Sequence, residues 1–368
     1  MNNNLKTGKV SYILGAGSSI GHSKSIFPDI TDLFSKIIEL KKYKTDRIKH
    51  IKEYVKEKFG ENIWDNDSKI NMEDLMTFID IEIERTNDPI FYEIRADILK
   101  LIHAVIYELQ HEVKDESEYD HFINILKEED TIITFNWDSM LDKIMDGKIK
   151  QYKYSIEKLF ANYERVPKFD SLFEPPYCII DVYDSKGYYL KLHGSFDWLY
   201  CDNSGCITHN KVFKIDYLEF EHRCGECHEP MKILIIPPVL NKFYKNYPII
   251  RKLWTIAVNE MQITEHLVFW GYSLPPTDFY SNWLIRNCRK NIKTLTIINP
   301  KIIEKSRDEK ELNYPFIKRF YDMFRDIFRD INEKENVYLY EYFDDFDSGI
   351  SISDKYPHLK KELLFKNL

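Results

Sequence analysis

The sequence GYYLKLHGS at residues 187–195 decides how the chain is interpreted. Its aromatic and apolar residues favour a β-strand, and Gly194 permits a sharp turn where that strand ends. The arrangement delivers the imidazole of His193 to the strand end, where a histidine can exchange a proton near neutral pH. A histidine that only supports the fold is the alternative, so the surrounding motifs decide between the two.

A second strand followed by a turn lies near the start of the chain. Residues 9–14, KVSYIL, predict a short buried strand that runs directly into Gly15, Ala16, Gly17 and Ser18. In a Rossmann-type unit such a turn brings backbone amides close to a phosphate group. The spacing departs from the full dinucleotide fingerprint, so an ordinary tight turn without a ligand is the alternative.

Polar residues also end the strand predicted at residues 131–138, TIITFNWD. Asn136 and Asp138 would then lie at the carboxyl edge of a parallel sheet, where open α/β folds bind ligands. The amide of Asn136 can hydrogen-bond sugar hydroxyls or water without titrating. Asp138 has a second role open to it, because it precedes a helix predicted at residues 139–145 and can cap that helix.

Two pairs of cysteines follow the central motif. Cys201 and Cys206 are separated from Cys224 and Cys227 by seventeen residues, which is a spacing typical of a zinc ribbon. Four thiolates would hold a zinc ion tetrahedrally and leave no open coordination position, so we expect a structural metal. Four free thiols are the alternative, and His209, His222 and His228 are substitutes if one cysteine is not a ligand.

Composition limits the class of protein. The chain has 368 residues, of which 43% are hydrophobic and 15% aromatic, as in a globular protein. Its formal net charge of −8 gives no positive surface for nonspecific nucleic-acid binding. We expect a cytoplasmic protein that does not bind membranes, because no signal peptide and no run long enough to span a bilayer is visible.

Residues 29–128 carry helical patterns between the first two strands. The signals are apolar residues at helical spacing over 33–38, 48–59 and 75–83, a stop at Gly60, a cap at Asn71 and a start at Pro89. The rest of the chain predicts a loop over residues 151–176, strands over 177–183, 234–238, 267–273, 293–299 and 337–343, and a helix from Pro315 to Ile331.

Together these patterns predict an α/β fold with a Rossmann-like parallel sheet, a large helical insertion and a small zinc-ribbon lobe. We expect residues 1–28, 129–200 and 233–368 to form the Rossmann-like domain. Residues 29–128 would form the insertion, and residues 201–232 the zinc-binding module.

The order of the motifs resembles that of the sirtuin superfamily. The motifs are GAGSS at 15–19, TFNWD at 134–138, KLHGS at 191–195, the two cysteine pairs, GYS at 271–273 and IN at 298–299. In its divergent positions the chain looks more like the sirtuin-like, NAD-cleaving effectors of bacterial antiphage defence. The resemblance covers the Rossmann-like parts and the zinc lobe, and it leaves out the helices of residues 29–128.

The resemblance implies a role for each matching residue. Gly15, Ala16, Gly17 and Ser18 would line the pyrophosphate of NAD+, with Ser273 near the phosphates. Asn299 would hold the adenosine ribose, Asn136 and Asp138 would face the nicotinamide ribose, and His193 would be the base at that ribose.

Three departures from the sirtuin pattern weaken the case for a protein deacylase. Residues 21–24, GHSK, replace a Gly-Ile-Pro-Asp-Phe-Arg run, and Phe135 stands where classical sirtuins carry glutamine. Residues 236–238, IPP, replace the Phe-Gly-Glu segment that pairs with an acyl-lysine peptide. Because Pro237 and Pro238 cannot donate backbone hydrogen bonds, this segment is poorly suited to pair with a peptide.

The resemblance therefore implies an NAD+ glycohydrolase that releases nicotinamide and ADP-ribose, with Zn2+ as a structural metal and NAD+ as substrate. An NAD-dependent deacylase and a non-catalytic NAD or nucleotide sensor are the alternatives. Because such a hydrolase is toxic when always active, the resemblance also implies an antiphage role with control by homo-oligomerisation or by a partner ATPase.

Overall fold

The computed structural model describes most of the chain. The described residues are 8–28, 33, 36, 45–60, 70–113, 118–145, 163–165, 178–180, 187–209, 211–214, 222–236, 247–276, 278–306, 309–329 and 336–359. Most of the helix expected at 33–38, most of the loop expected at 151–176, and Pro237 with Pro238 lie outside these residues.

The strands predicted from the sequence are found, together with further strands and helices that were not predicted. The strands are β1 Val10–Leu14, β2 Thr131–Thr134, β3 Tyr163–Arg165, β4 Cys178–Ile180, β5 Tyr188–Lys191, β6 Gly194–Tyr200, β7 Val212–Lys214, β8 Lys232–Ile235, β9 His266–Trp270, β10 Thr294–Ile298, β11 Ile303–Ser306, β12 Glu309–Leu312 and β13 Val337–Tyr340. The helices are α1 Ala16–His22, α2 Thr45–Phe59, α3 Met72–Thr86, α4 Pro89–Glu112, α5 Glu118–Ile125, α6 Pro248–Ile263, α7 Phe279–Cys288, α8 Tyr314–Met323, α9 Arg325–Arg329, α10 Phe343–Ser348 and α11 Ile352–Lys355. A further helical segment covers residues 140–145.

Six strands form one parallel sheet in the order β13-β10-β9-β1-β2-β5. From the central β1 the chain builds outward through β2 and β5, then returns beside β1 with β9 and continues to β10 and β13. This reversal of direction is the arrangement of a doubly wound fold. The expected Rossmann-like α/β fold is confirmed by this strand order.

Burial on both faces explains why the sheet strands are almost wholly apolar. In β1, Val10, Tyr12 and Leu14 join a core on one face, whereas Ile13 joins the core on the other. Because successive side chains of a strand point to opposite faces, an unbroken apolar run is the pattern that a sheet covered on both sides requires.

The helices of the insertion cover the face to which Tyr12 points. As expected, α2 ends before Gly60, whose φ of +68° suits glycine, and α4 starts at Pro89. The side chain of Asn71 caps α3 by accepting a hydrogen bond from the Glu73 amide. The last of these helices, α5, packs on the sheet itself, because the Phe122 ring contacts Tyr12 at 5.0 Å between centroids.

Helices α6, α7 and α8 cover the opposite face. One difference from the sequence prediction is that the helix expected from Pro315 to Ile331 ends at Met323 and restarts at Arg325. Phe324 interrupts it with φ −122° and ψ 37°. The change of direction lets Phe324 and Phe328 both remain buried in the same core.

A second, antiparallel sheet carries the cysteines, in the strand order β3-β4-β7-β6-β8. Strand β6 of this sheet begins at Gly194, whose φ of +72° turns the chain from the end of β5 into β6. A Cβ atom at this position would lie 2.2 Å from the Leu234 carbonyl oxygen, so only glycine fits the turn. No helix among the described residues is long and apolar enough to cross a membrane.

Candidate functional site

The polar residues predicted as ligands lie at one edge of the parallel sheet. Because all six strands run in the same direction, the residues that follow them meet at the carboxyl edge. Along this edge come Asn299 after β10, Gly271 after β9, Gly15 after β1, Asn136 after β2 and His193 after β5. The strand order reverses between β1 and β9, which is where open α/β sheets form a binding crevice.

The glycines of the first turn are explained by a close approach of two loops. The amides of Gly15 and Gly17 donate to the carbonyl oxygens of Trp270 and Gly271, at 3.0 Å each. A Cβ atom on Gly17 would lie 2.7 Å from the Gly271 Cα, and Gly271 itself has φ +65°. These two amides hold the loop after β9, so the turn would reach a phosphate through the start of α1.

Ser18 and Ser19, at the start of α1, are tied to the insertion. The hydroxyl of Ser18 donates to the Gly15 carbonyl oxygen at 2.8 Å. The Tyr119 hydroxyl, from α5, lies 3.0 Å from the hydroxyl oxygens of both Ser18 and Ser19. Burial raises the pKa of Tyr119 far above its ordinary value, so its hydroxyl stays protonated. The sequence analysis did not single out Tyr119 or Ser19.

The Asn136 amide is anchored to the same turn. Its Nδ2 donates to the Gly15 carbonyl oxygen at 3.0 Å and to the Ser19 hydroxyl oxygen at 2.9 Å, and it lies 3.3 Å from the Ser18 hydroxyl. A carbonyl oxygen only accepts, so this contact fixes the amide nitrogen toward the turn. The Oδ1 atom is thereby directed away from the Gly15 carbonyl, which makes it the atom that can accept a hydrogen bond from a ligand.

Asp138 performs the capping role that the sequence left open for it. Its Oδ1 accepts from the Met140 amide at 3.1 Å, which caps residues 140–145, and its Oδ2 accepts from the Ser19 hydroxyl at 2.7 Å. Burial raises the pKa of the Asp138 carboxyl, and the Lys191 charge opposes that rise. Asp138 therefore reaches Asn136 through Ser19, and both its oxygens are used inside the protein.

A buried ion pair supports this loop from beneath. The Lys191 ammonium lies 2.9 Å from Asp142 Oδ2 and donates to the Asp138 carbonyl oxygen at 2.6 Å. The side chains of Lys191 and Asp142 are 2% and 0% exposed. Although burial alone would raise the pKa of Asp142, the charges of Lys191 and Lys214 bring it below its usual value. A lysine in an otherwise apolar strand was the sequence signal for this pair.

His193 lies beside the Asn136 loop. Thr134 and Lys191 are the last paired residues of neighbouring strands, so the segments that carry Asn136 and His193 leave the sheet next to each other. The His193 ring contacts the Phe135 ring, one residue before Asn136, at 4.9 Å between centroids. The site therefore has an amide and an imidazole on segments that follow adjacent strands.

Asp278 is a site residue that the sequence analysis missed. Its Oδ2 lies 4.0 Å from His193 Nε2, and both side chains are 8% exposed. Asp278 is the N-cap of α7, which follows the loop after β9. An aspartate before a helix is a recognisable cap signal, but its position opposite His193 depends on how α7 packs.

The remaining predicted ligands lie farther along the edge. The Oδ1 atom of Asn299 accepts from the Lys301 amide at 2.9 Å, so this side chain caps the short helix Pro300–Ile302. Ser273 contributes its carbonyl oxygen to Arg319 at 3.2 Å. Neither contact joins these residues to the network of Asn136 and Asp138.

His22 occupies the segment that departs from the sirtuin pattern. Its ring stacks on Tyr119 at 4.2 Å between centroids, and burial lowers its pKa to about 4. The chain then turns through Lys24 and Ser25, which have φ angles of 51° and 68°. A neutral imidazole therefore lies at the end of α1, and a left-handed turn follows the helix.

The four predicted cysteine ligands come together away from the sheet edge. Their sulfur atoms all lie within 4.8 Å of one another, and the Cys201–Cys227 and Cys206–Cys224 pairs are each 3.6 Å apart. A zinc ion with tetrahedral Zn–S bonds of about 2.3 Å separates its sulfur ligands by about 3.8 Å. The cluster therefore fits zinc, and it includes none of His209, His222 and His228.

Comparisons with known proteins found distant structural likenesses. No family model matches the chain, and no curated protein matches it. A mutant Sir2 homologue in complex with 2'-O-acetyl ADP ribose is 11% identical, with a TM-score of 0.42, over 98% of this chain and 95% of that one. Sir2Tm bound to a propionylated peptide is 12% identical, with a TM-score of 0.43, over 93% and 94% of the two chains. A Sir2 homologue in complex with NAD is 11% identical, with a TM-score of 0.40, over 96% and 90%. These are structures of the superfamily that the sequence motifs resemble, while the fold assignment rests on the strand order and register.

Proposed function

We propose that this protein is an NAD+ glycohydrolase. The observation that carries the proposal is the position of Asn136. Its Nδ2 is bound to the turn after β1, and its loop lies against His193 at the end of β5. A dinucleotide whose phosphates lie at the start of α1 would therefore present its nicotinamide ribose to both side chains.

The anchoring of Asn136 suits it for orienting a nucleophile. Because its Nδ2 is held by two oxygens at 3.0 and 2.9 Å, its Oδ1 is available in a fixed position. That oxygen would accept a hydrogen bond from a water molecule or a ribose hydroxyl. Positioning of this kind lowers the barrier because the reactants need not lose further orientational freedom.

The chemistry is a hydrolysis of the N-glycosidic bond. The bond between nicotinamide and ribose C1' breaks, and its electron pair neutralises the pyridinium nitrogen of the leaving nicotinamide. The ribose carbon passes through an oxocarbenium-like state and then forms a bond to the oxygen of water. His193 would accept the proton that this water loses and pass it to solvent.

The other predicted contacts belong to this proposal as substrate-binding residues. Gly15, Ala16, Gly17 and Ser18 would lie along the pyrophosphate, with Ser273 beside it and Asn299 at the adenosine ribose. Asp138 would act on the nicotinamide ribose through Ser19, whose hydroxyl joins it to Asn136. Zinc in the cysteine cluster would stabilise the antiparallel sheet and take no part in the reaction, because four thiolates leave no open position.

Product analysis in 18O-labelled water tests the reaction. A glycohydrolase releases nicotinamide and ADP-ribose in equal amounts, and the ADP-ribose carries one 18O atom. Release of nicotinamide only when an acetylated peptide is added would instead identify a deacylase. Binding of NAD+ in calorimetry with no product formed would identify a sensor.

The proposal extends to a role in antiphage defence. Its support is the resemblance to NAD-cleaving defence effectors, which are held inactive until infection and are controlled by assembly or by a partner ATPase. Bacterial cells that express the protein together with its partner ATPase should restrict phage, and cells that express Asn136→Ala in its place should not. Equal phage titres on both strains would remove this part of the proposal and leave the reaction itself unaffected.

A further inference from the structure

Asp278 is a buried carboxylate at the candidate site whose position goes beyond what a helix cap needs. Its Oδ1 accepts from the Ser281 amide at 3.3 Å, and its Oδ2 accepts from the Ser281 hydroxyl at 2.6 Å. These two bonds cap α7 at its first turn. The same Oδ2 lies 4.0 Å from His193 Nε2.

A cap alone does not explain a buried charge at this position. Asparagine and serine cap helices about as well as aspartate does, and they carry no charge. The chain uses asparagine at the caps of α3 and α8, through Asn71 and Asn313, and the aspartate that caps α4, Asp88, is exposed. Another buried aspartate cap, Asp138, has the charge of Lys191 nearby. Because an ionised carboxylate is costly to bury unless a positive charge is near it, the group that faces Asp278 decides its role.

The surroundings of His193 single out Asp278 as its partner. The elements packed against His193 contribute the Phe135 ring, the Ile236 amide, which donates to the His193 carbonyl oxygen, and Trp254, which donates to Leu192. Asp278 and Tyr272 are titratable groups on this side, and Tyr280 contacts the Trp254 ring at 6.1 Å between centroids. Burial, and then the charge of Asp278, raise the pKa of Tyr272 well above its ordinary value, so Tyr272 remains neutral.

We propose that Asp278 is a positioning residue that stabilises the protonated form of His193 during the reaction. This inference rests on the proposed function, since it assigns the partner of the same base. At 4.0 Å the two side chains lie within range of an ion pair and beyond a direct hydrogen bond. The carboxylate therefore acts on the charge that His193 acquires when it takes the proton of the attacking water.

The Asp278→Asn variant separates this role from capping, because asparagine retains the cap and loses the charge. Nicotinamide release should fall by about 10- to 100-fold in kcat, with KM changed little. The acid limb of the pH profile should move down by about one pH unit, because the imidazolium of His193 has lost its stabilising charge. The matched control is Asp88→Asn, at the exposed cap of α4, which should match the wild type in both measurements.

A second readout does not depend on turnover of NAD+. Titration of His193 by NMR should show its pKa about one unit lower in Asp278→Asn than in the wild type and in Asp88→Asn. An unchanged pKa would overturn the inference, even if the protein cleaves NAD+. A lowered pKa in a protein that does not cleave NAD+ would support the pairing and count against the proposed function instead. If neither Asp278→Asn nor Asp278→Ser folds, the carboxylate serves the fold and the inference is overturned.

Discussion

The two halves of the parallel sheet end in different ways at the same edge. On the side of β2 and β5, polar side chains bind one another. Lys191 binds Asp142, and the Ser19 hydroxyl joins Asn136 to Asp138. On the side of β10 and β13, Asn299 caps the helix that follows it, and Glu341 is paired with Lys310 and Lys355, which are 34% and 31% exposed. The polar network of the first half is buried around Ser19 and Lys191, whereas that of the second half reaches lysines at the surface.

The type of residue at a strand end does not by itself show whether the side chain binds a ligand or supports the fold. Asn136 and Asn299 both follow a buried strand of the same sheet, and both would be predicted as sugar ligands. The structure holds the first through its Nδ2 and directs its Oδ1 away, whereas it uses the Oδ1 of the second for a cap. An asparagine whose Oδ1 accepts no hydrogen bond from its own turn can bind a ligand through that atom, whereas one whose Oδ1 caps a helix has a structural role.

The largest expected difference between the halves is in their ion pairs. Lys191 and Asp142 are buried 2.9 Å apart, while Lys310 and Glu341, beside β13, lie 3.0 Å apart with Lys310 34% exposed. Lys191→Met should lower the free energy of unfolding by about 3–5 kcal/mol, because it leaves an unpaired buried carboxylate. Lys310→Met should cost less, about 1 kcal/mol, because the buried Glu341 keeps Lys355 at 3.1 Å and the Tyr356 hydroxyl at 2.6 Å as partners. Urea denaturation measures the free energy of unfolding of both variants, and equal losses would contradict the difference proposed between the two ion pairs.

Zinc removal should reduce amide protection near one half of the parallel sheet and leave the other half unchanged. His193 accepts a backbone hydrogen bond from Ile236 at 2.8 Å, so the cysteine-bearing sheet is joined to the end of β5. Chelation should reduce amide protection in residues 194–236 by about 100-fold in hydrogen exchange, because folding of this lobe is coupled to the metal. Residues 266–298, in β9 and β10, should keep their protection. Loss of protection throughout the sheet would show that the halves are not independent.

A smaller effect is expected where a polar residue serves only its own turn. Asn299→Ala should lower stability by about 1 kcal/mol, because the Lys301 amide loses its acceptor. Asn299→Asp, which keeps the capping oxygen, should retain most of that stability. If the alanine variant is as stable as the wild type in thermal unfolding, the cap contributes nothing and Asn299 is available for ligand binding alone.

The smallest expected effect lies at the seam between the halves, where α5 packs against α1. Burial, and then the charge of Asp344, raise the pKa of Glu118 from its ordinary 4.5 to about 7. The folded protein therefore holds a proton that the unfolded chain releases, and stability falls as pH rises from 4.5 to 7. Glu118→Gln should stabilise the protein by up to about 1 kcal/mol at pH near 8, after allowance for solvent screening, and should have no effect at pH near 4.5. Denaturation curves at the two pH values test this, and an equal gain at both would contradict it.

Much of the fold could be predicted because its signals are local. The short runs of apolar and β-branched residues in β1, β2, β9 and β10 and the spacing of the four cysteines are visible within short windows of sequence. Strand β6, Gly194–Tyr200, was not predicted, because its partners lie farther along the chain, β7 between the two cysteine pairs and β8 after them. The break at Phe324 was missed for a similar reason, since the apolar stripe continues through it and only packing interrupts the helix.

Some residues of the candidate site could likewise be located from local sequence signals, and others could not. Asn136 and His193 could be placed from sequence, because each follows a recognisable strand and parallel strands share an edge. Tyr119 and Asp278 could not, because they come from α5 and α7, whose orientation on the sheet is decided by long-range packing. Lys191 was visible as a lysine in an apolar strand, but its partner Asp142 lies 49 positions earlier in the chain.

The central claim is that the Asn136 amide and the His193 imidazole act on the same ribose of bound NAD+. The most direct test compares cleavage with binding in Asn136→Ala and His193→Ala. The account predicts that each variant loses nicotinamide release by about 100-fold or more, while the Kd for NAD+ in calorimetry stays within about threefold of the wild type. Cleavage at the wild-type rate in either variant would contradict the claim.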